Sequence, residues 1–185
     1  MLPDLLRELG VTLPLEPAHR PVVGVSACLL GRRVRYDGDH KYDPRVGETL
    51  AGLVRLREFC PEVAIGLPVP RPPIRVVDLD GRQRVRDVAA PGHDFTAALS
   101  GCADHLEETL DGFILKARSP SCGLGDTPVH DAAGVPHGVT DGAFAARLRE
   151  RFAGLPMCSE TGLVDPQVLA AFVTAVFRHW RARNQ

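Results

Sequence analysis

Apolar residues in this chain gather into short continuous runs, separated by stretches where they recur at helical spacing. The run 21–27 (PVVGVSA) has no polar face, as expected of a parallel strand buried on both sides. Phe113 to Ala117 reads the same way, Arg57 to Ile65 as a weaker strand crossing Cys60, and Leu155 to Cys158 as a short last one. Ile74 to Val77 and Gln83 to Arg86 flank Leu79, Asp80 and Gly81, which predicts a β-hairpin. Between these runs lie a short amphipathic helix from Asp4 to Leu9 and a helix opened by Asp43 and Pro44 and reaching about Leu56. Asp94 opens another, with apolar positions Phe95, Leu99, Cys102, Leu106 and Leu110. Asp141 to Phe152 and a long helix opened by Asp165 and Pro166 close the chain. Aspartate followed by proline suits an N-cap and first turn. Strands alternating with helices argue for an α/β sandwich with a mostly parallel sheet over residues 21–185, preceded by a helix and proline-containing linker over 1–20.

At 185 residues, with 44% hydrophobic and 24% charged residues, the chain suits one ordinary globular domain. A net charge of −1 gives no reason to expect a nucleic-acid or membrane surface, although Arg33 to His40 and Arg82 to Arg86 are local basic clusters. The N-terminus lacks the basic start and apolar core of a signal peptide, so the cytoplasm is expected. Five cysteines, an odd number in a reducing compartment, argue against a disulfide framework. No glycine-rich dinucleotide fingerprint, P-loop or His-x-x-x-His pattern is present.

Three of the cysteines stand apart. Cys28, Cys60 and Cys122 each follow a strand-like run, beside glycine, proline or acidic residues. The C-terminal ends of parallel strands line the crevice where open α/β sheets bind ligands, so thiols distant in sequence can meet there. Three converging thiolates suggest a metal or an iron–sulfur cluster with one coordination position free. Cys102 lies on an apolar helix face and Cys158 follows an apolar run, so both read as core. The absence of Cys-x-x-Cys fits a zinc ribbon or a thioredoxin-like dithiol poorly. A non-catalytic zinc- or sulfide-binding protein and a thiol redox protein stay open as alternatives. Nearby, residues 35–41 form a charged loop, and Arg71 stands among prolines in a stiff turn.

Five blocks in order resemble the thiouracil desulfidase (TudS) family over about residues 21–160. They are residues 25–31 (VSACLLG), Arg35 to Gly38 with His40 and Lys41, Cys60 to Glu62, Gly66 and Leu67 with Pro70 and Arg71, and residues 116–123 (KARSPSCG). The resemblance implies a compact Rossmann-like domain, which with the elements read above predicts a single-domain, three-layer sandwich with a small β-hairpin insertion. It also implies a [4Fe-4S] cluster held by Cys28, Cys60 and Cys122, whose fourth iron takes the sulfur of a thiolated uracil without net redox change. Within that reading, Glu62 is the expected acid/base group and Ser119 orients substrate or water. Asp37, Lys41, Arg71 and Ser121 are expected to hold the pyrimidine or an attached phosphate. A broader group carries a second helical domain, for which little chain follows Asp165. The expected partner is therefore a free base, nucleoside or nucleotide, with thiouridine in folded RNA less favoured.

Overall fold

A computed structural model describes residues 2–8, 10–11, 16–106 and 109–184. Leu9 and residues 12–15 of the expected N-terminal helix and linker lie outside the described residues, as do 107–108 in the segment leading to Leu110. Strands β1 (Val22–Ser26), β2 (Arg55–Phe59), β5 (Gly112–Leu115) and β8 (Met157–Ser159) form one wholly parallel sheet in the order β2-β1-β5-β8. Alternate residues along these strands enter different cores. Val23, Val25, Ile114 and Cys158 pack with Leu6 of α1 (Leu2–Glu8) and with Phe172, Val173, Val176 and Phe177 of α5 (Pro166–Arg183). Val22, Phe113 and Leu115 face the opposite way, onto α3 (Thr96–Asp104) and α4 (Ala143–Arg151), through Cys102, Ala103, Phe144 and Leu148. Helices on both faces explain why the central strands β1 and β5 read as unbroken apolar runs, while the edge strand β2 carries charged, exposed positions. Gly24 is required here, because a Cβ at that position would stand 2.4 Å from the Phe113 ring.

The expected α/β sandwich is thus present, with one enlargement. The hairpin of β3 (Ile74–Leu79) and β4 (Arg82–Asp87) is not a small insertion but half of a second sheet. Its order is β4-β3-β6-β7, completed by β6 (Thr127–His130) and β7 (Pro136–Thr140). Val76, Val85 and Val129 of this sheet pack on Leu99, so α3 and α4 lie between the two sheets. Proline, glycine and histidine in β6 and β7 concealed them, since these types are poor strand formers.

Several boundaries also shift. Residues 45–50 form a wide π-type helical turn instead of a helix to Leu56, and β2 ends before Cys60. Cys60 instead caps the short helix α2 (Pro61–Ala64). The helix after Asp94 stops at Asp104, while Asp165 caps α5 as expected, its carboxylate accepting from the Gln167 N–H at 2.8 Å. No helix among the described residues is long and apolar enough to cross a membrane.

A buried carboxylate ties the last helix to the sheet. Asp111, fully buried, accepts from the Val22 N–H at 2.8 Å and from Arg183 Nε and Nη2 at 3.1 Å each, with His179 Nδ1 at 3.3 Å. Asp111→Ala leaves a backbone donor and a guanidinium without their partner, and is expected to cost about 3 kcal/mol. A lower urea midpoint at unchanged slope would register this loss, and an unmoved midpoint would contradict it.

Candidate functional site

The strand order reverses between the parallel neighbours β1 and β5: the chain leaves β1 toward β2 on one side, and leaves β5 toward β8 on the other. Crevices open at the C-terminal ends of strands at such a reversal. A cavity of about 580 Å³ lies there, and Cys28, Cys60 and Cys122 all line it. Each sulfur is placed by a different local device. Cys28 sits in the 3₁₀ turn Ala27–Leu30 directly after β1, a turn ended by Gly31 at φ +87°. Cys60 occupies the cap of α2 in extended backbone conformation, with Pro61 opening the helix behind it. Cys122 belongs to a turn in which Ser119 Oγ accepts from the N–H groups of Ser121 at 3.2 Å and Cys122 at 3.1 Å. Thr127 Oγ1 donates to Ser119 O at 2.8 Å and closes that turn from outside. Two glycines let neighbouring chain approach it. A Cβ at Gly123 would meet Thr127 Oγ1 at 1.9 Å, and one at Gly142 would meet the Ser121 carbonyl carbon at 2.4 Å.

Burial pushes the Cys28 thiol up to about 11, reinforced by the charge of Cys60 and opposed by Lys116 and Arg35. Cys60 is raised by burial, and Cys122 is raised further, also by burial, with a Ser26 hydrogen bond acting against the rise. Cys60 and Cys28 each contribute charge to the rise at Cys122, as expected of sulfurs sharing one cavity. Metal ligands must be deprotonated, so loading a metal group on these thiols releases protons. Iron uptake is therefore expected to weaken as pH falls, and equal uptake at about pH 6 and pH 8 would contradict this.

Glu62, two residues beyond Cys60, also lines the cavity. Its Oε2 accepts from Arg71 Nε at 2.9 Å and Nη2 at 2.7 Å, and its Oε1 accepts from Ser121 Oγ at 2.8 Å. Ser119 and Lys41 line the same cavity. Three expected substrate contacts are placed differently. Asp37 stands off the cavity wall, bound to Arg35 at 2.9 and 3.2 Å. Ser121 is fully buried and gives its hydroxyl to Glu62. Arg71 reaches the wall, but its guanidinium is engaged with Glu62, Pro68 O and Val34 O. Short polar side chains beside a cavity-lining cysteine in sequence can point into the protein as readily as into its cavity, and sequence order does not distinguish the two.

Sequence reasoning placed Ser26, Arg35 and Lys116 in matched blocks without giving them a role, and missed Glu160. Lys116 lines the cavity, and its ammonium group bonds Ala117 O at 2.9 Å and the Glu160 carboxylate. Glu160, 8% exposed, also accepts from the Ala117 N–H at 2.6 Å. A lysine directly after the four buried residues of β5 was the available signal. Ser26 accepts from the Lys116 N–H at 3.0 Å, joining the end of β1 to the segment that follows β5.

The donor set suits a cluster. Among the described residues, no three His, Cys, Asp or Glu side chains form a group able to hold one metal ion. A [4Fe-4S] cubane distributes its thiolates over separate irons and needs them on the walls of one cavity, as here.

The 2-thiouracil desulfurase family matches residues 23–160. A solved [4Fe-4S]-dependent thiouracil desulfidase, TudS, shares 34% identity at a TM-score of 0.63, with 82% of this chain and 97% of that chain covered. None of the curated proteins compared matches this chain.

Proposed function

Because this chain belongs to the 2-thiouracil desulfurase family, we propose that it is a [4Fe-4S]-dependent desulfidase that replaces the sulfur of a thiolated uracil with oxygen. The observation that carries this reading is the meeting of Cys28, Cys60 and Cys122 on one cavity that Glu62 and Ser119 also line. Cys28, Cys60 and Cys122 would hold the cluster, leaving one iron without a protein ligand. When bound, that group supplies a soft Lewis acid suited to a thiocarbonyl sulfur.

The chain's own residues supply the rest. Glu62 faces three donors with both oxygens and acts as an acceptor, suited to taking a proton from the water that adds at the thiocarbonyl carbon. Ser119 has both acceptor positions occupied by the N–H groups of Ser121 and Cys122, so its O–H is the donor it offers the cavity. That donor orients the pyrimidine or the water. Lys116 brings a positive charge beside Cys28, fixed by Glu160, and partly offsets the negative charge of a thiolate-bound group. Lys41 and Arg118, both exposed and both lining the cavity, are the cations placed to meet a polar or phosphorylated substituent of the base.

The test is an anaerobic assay of sulfide release from 2- and 4-thiouracil, their nucleosides and their monophosphates. The expected result is stoichiometric sulfide and oxo product from at least one of them. Iron-loaded protein that releases sulfide from none would end the proposal.

A further inference from the structure

Arg71 is the most deeply buried cation of the site, its side chain 3% exposed against 13% for Glu62. Every contact of its guanidinium is internal. Nε and Nη2 donate to Glu62 Oε2 at 2.9 and 2.7 Å, Nη1 donates to Pro68 O at 3.1 Å, and Nη2 donates to Val34 O at 2.9 Å. The Arg71 backbone N–H also donates to Tyr36 O at 2.9 Å. From the opposite side, the buried Ser121 hydroxyl holds Glu62 Oε1 at 2.8 Å. Glu62 is thereby gripped at both oxygens, while the Val34 to Tyr36 segment, part of the cavity wall, is fastened to the same guanidinium.

We propose that Arg71 is the positioning residue of Glu62: it aims the carboxylate into the cavity and couples it to the Val34–Tyr36 wall, and it acts on the reaction only through Glu62. The proposal rests on the desulfidase reading and replaces the expectation that Arg71 touches the substrate. Arginine is needed because a planar fork can serve one carboxylate oxygen and two carbonyls together, whereas a lysine ammonium cannot reproduce that fixed geometry. Loss of about 1 Å in the placement of a reacting group can cost about a hundredfold in rate.

The test is a double-mutant cycle of Arg71→Lys, Glu62→Gln and the pair, with iron counted in each loaded protein. Arg71→Lys is expected to keep its iron and to lose roughly ten- to a hundredfold in kcat, with KM changed by less than about twofold. The pair is expected to be no slower than Glu62→Gln alone, since both changes remove one function. A pair whose loss is the product of the two single losses would overturn the proposal, as would a raised KM at intact kcat in Arg71→Lys. A second readout needs no turnover: the Arg71 Nε–H proton resonance in the full chain before iron is added. It should be resolved and slow to exchange, and should shift or vanish in Glu62→Gln. A resonance indifferent to that change overturns the clamp whatever the kinetics. Active wild-type enzyme with an additive cycle removes only the role of Arg71. Wild-type protein without iron or turnover counts against the desulfidase reading, and the resonance still decides the clamp.

Discussion

Cys122→Ser is expected to give a folded chain that takes up little iron and releases sulfide more than about a hundredfold more slowly, and Cys28→Ser and Cys60→Ser to do the same. Serine keeps the size of the side chain but replaces a soft thiolate with an alcohol that does not ionise near neutral pH. The fold should survive. At Cys122 the new hydroxyl stands near the Ser26 hydroxyl, and at Cys60 serine is a favoured residue for the cap of α2. Cys102 and Cys158 supply the control. Both are buried in the apolar cores on either side of the parallel sheet, and Cys102 gives its S–H to Pro61 O at 3.7 Å. Substituting either should alter stability while leaving iron content intact. Iron per chain and visible absorbance measured on all five variants separate the two groups. Full iron in Cys28→Ser, Cys60→Ser and Cys122→Ser would refute the assignment.

Glu62→Gln should retain its iron and lose about a hundred- to ten-thousandfold in kcat, the range over which a positioned acid or base acts. The amide keeps the shape of the carboxylate. Its oxygen can still accept from Arg71, and its NH₂ can donate to the Ser121 hydroxyl, which is able to accept as well as donate. What disappears is the capacity to take a proton from water. The substitution also leaves the Arg71 guanidinium buried without its anion, so some loss of stability is expected beside the kinetic loss. Denaturation of the variant measures the first effect, and single-turnover sulfide release at saturating substrate measures the second. Turnover within about threefold of wild type would remove Glu62 from the chemistry.

The parallel sheet was legible because strands covered on both faces carry nothing but apolar and small residues, as residues 22–26 and 112–115 do. The ends of β1 and β5 were legible for the same reason, whereas the end of β2 was not, because RLREF is an edge strand with exposed, charged positions. The second sheet was not. Thr127–His130 alternates buried and half-buried positions but contains proline and histidine, while Pro136–Thr140 is almost wholly exposed, so neither carries the apolar signal of a core strand. Within the site, sequence order showed which residues neighbour a cysteine but not which way they turn. Ser119 and Ser121 flank one proline, yet Ser119 lines the cavity and Ser121 is closed off beneath it. Arg71 and Glu62 are nine residues apart, and their pairing depends on how the 68–73 turn folds back over α2. Lys116 and Glu160 lie 44 residues apart and meet only because β5 and β8 are neighbours in the parallel sheet.

The central claim is that three sulfurs at one cavity carry a cluster. The most direct measurement is the count of iron and acid-labile sulfide in protein purified and reconstituted without oxygen, beside the same count on Cys28→Ser. The account predicts about four of each per wild-type chain, with broad visible absorbance that the variant lacks. About one zinc per chain, or iron that persists in the variant, would contradict it.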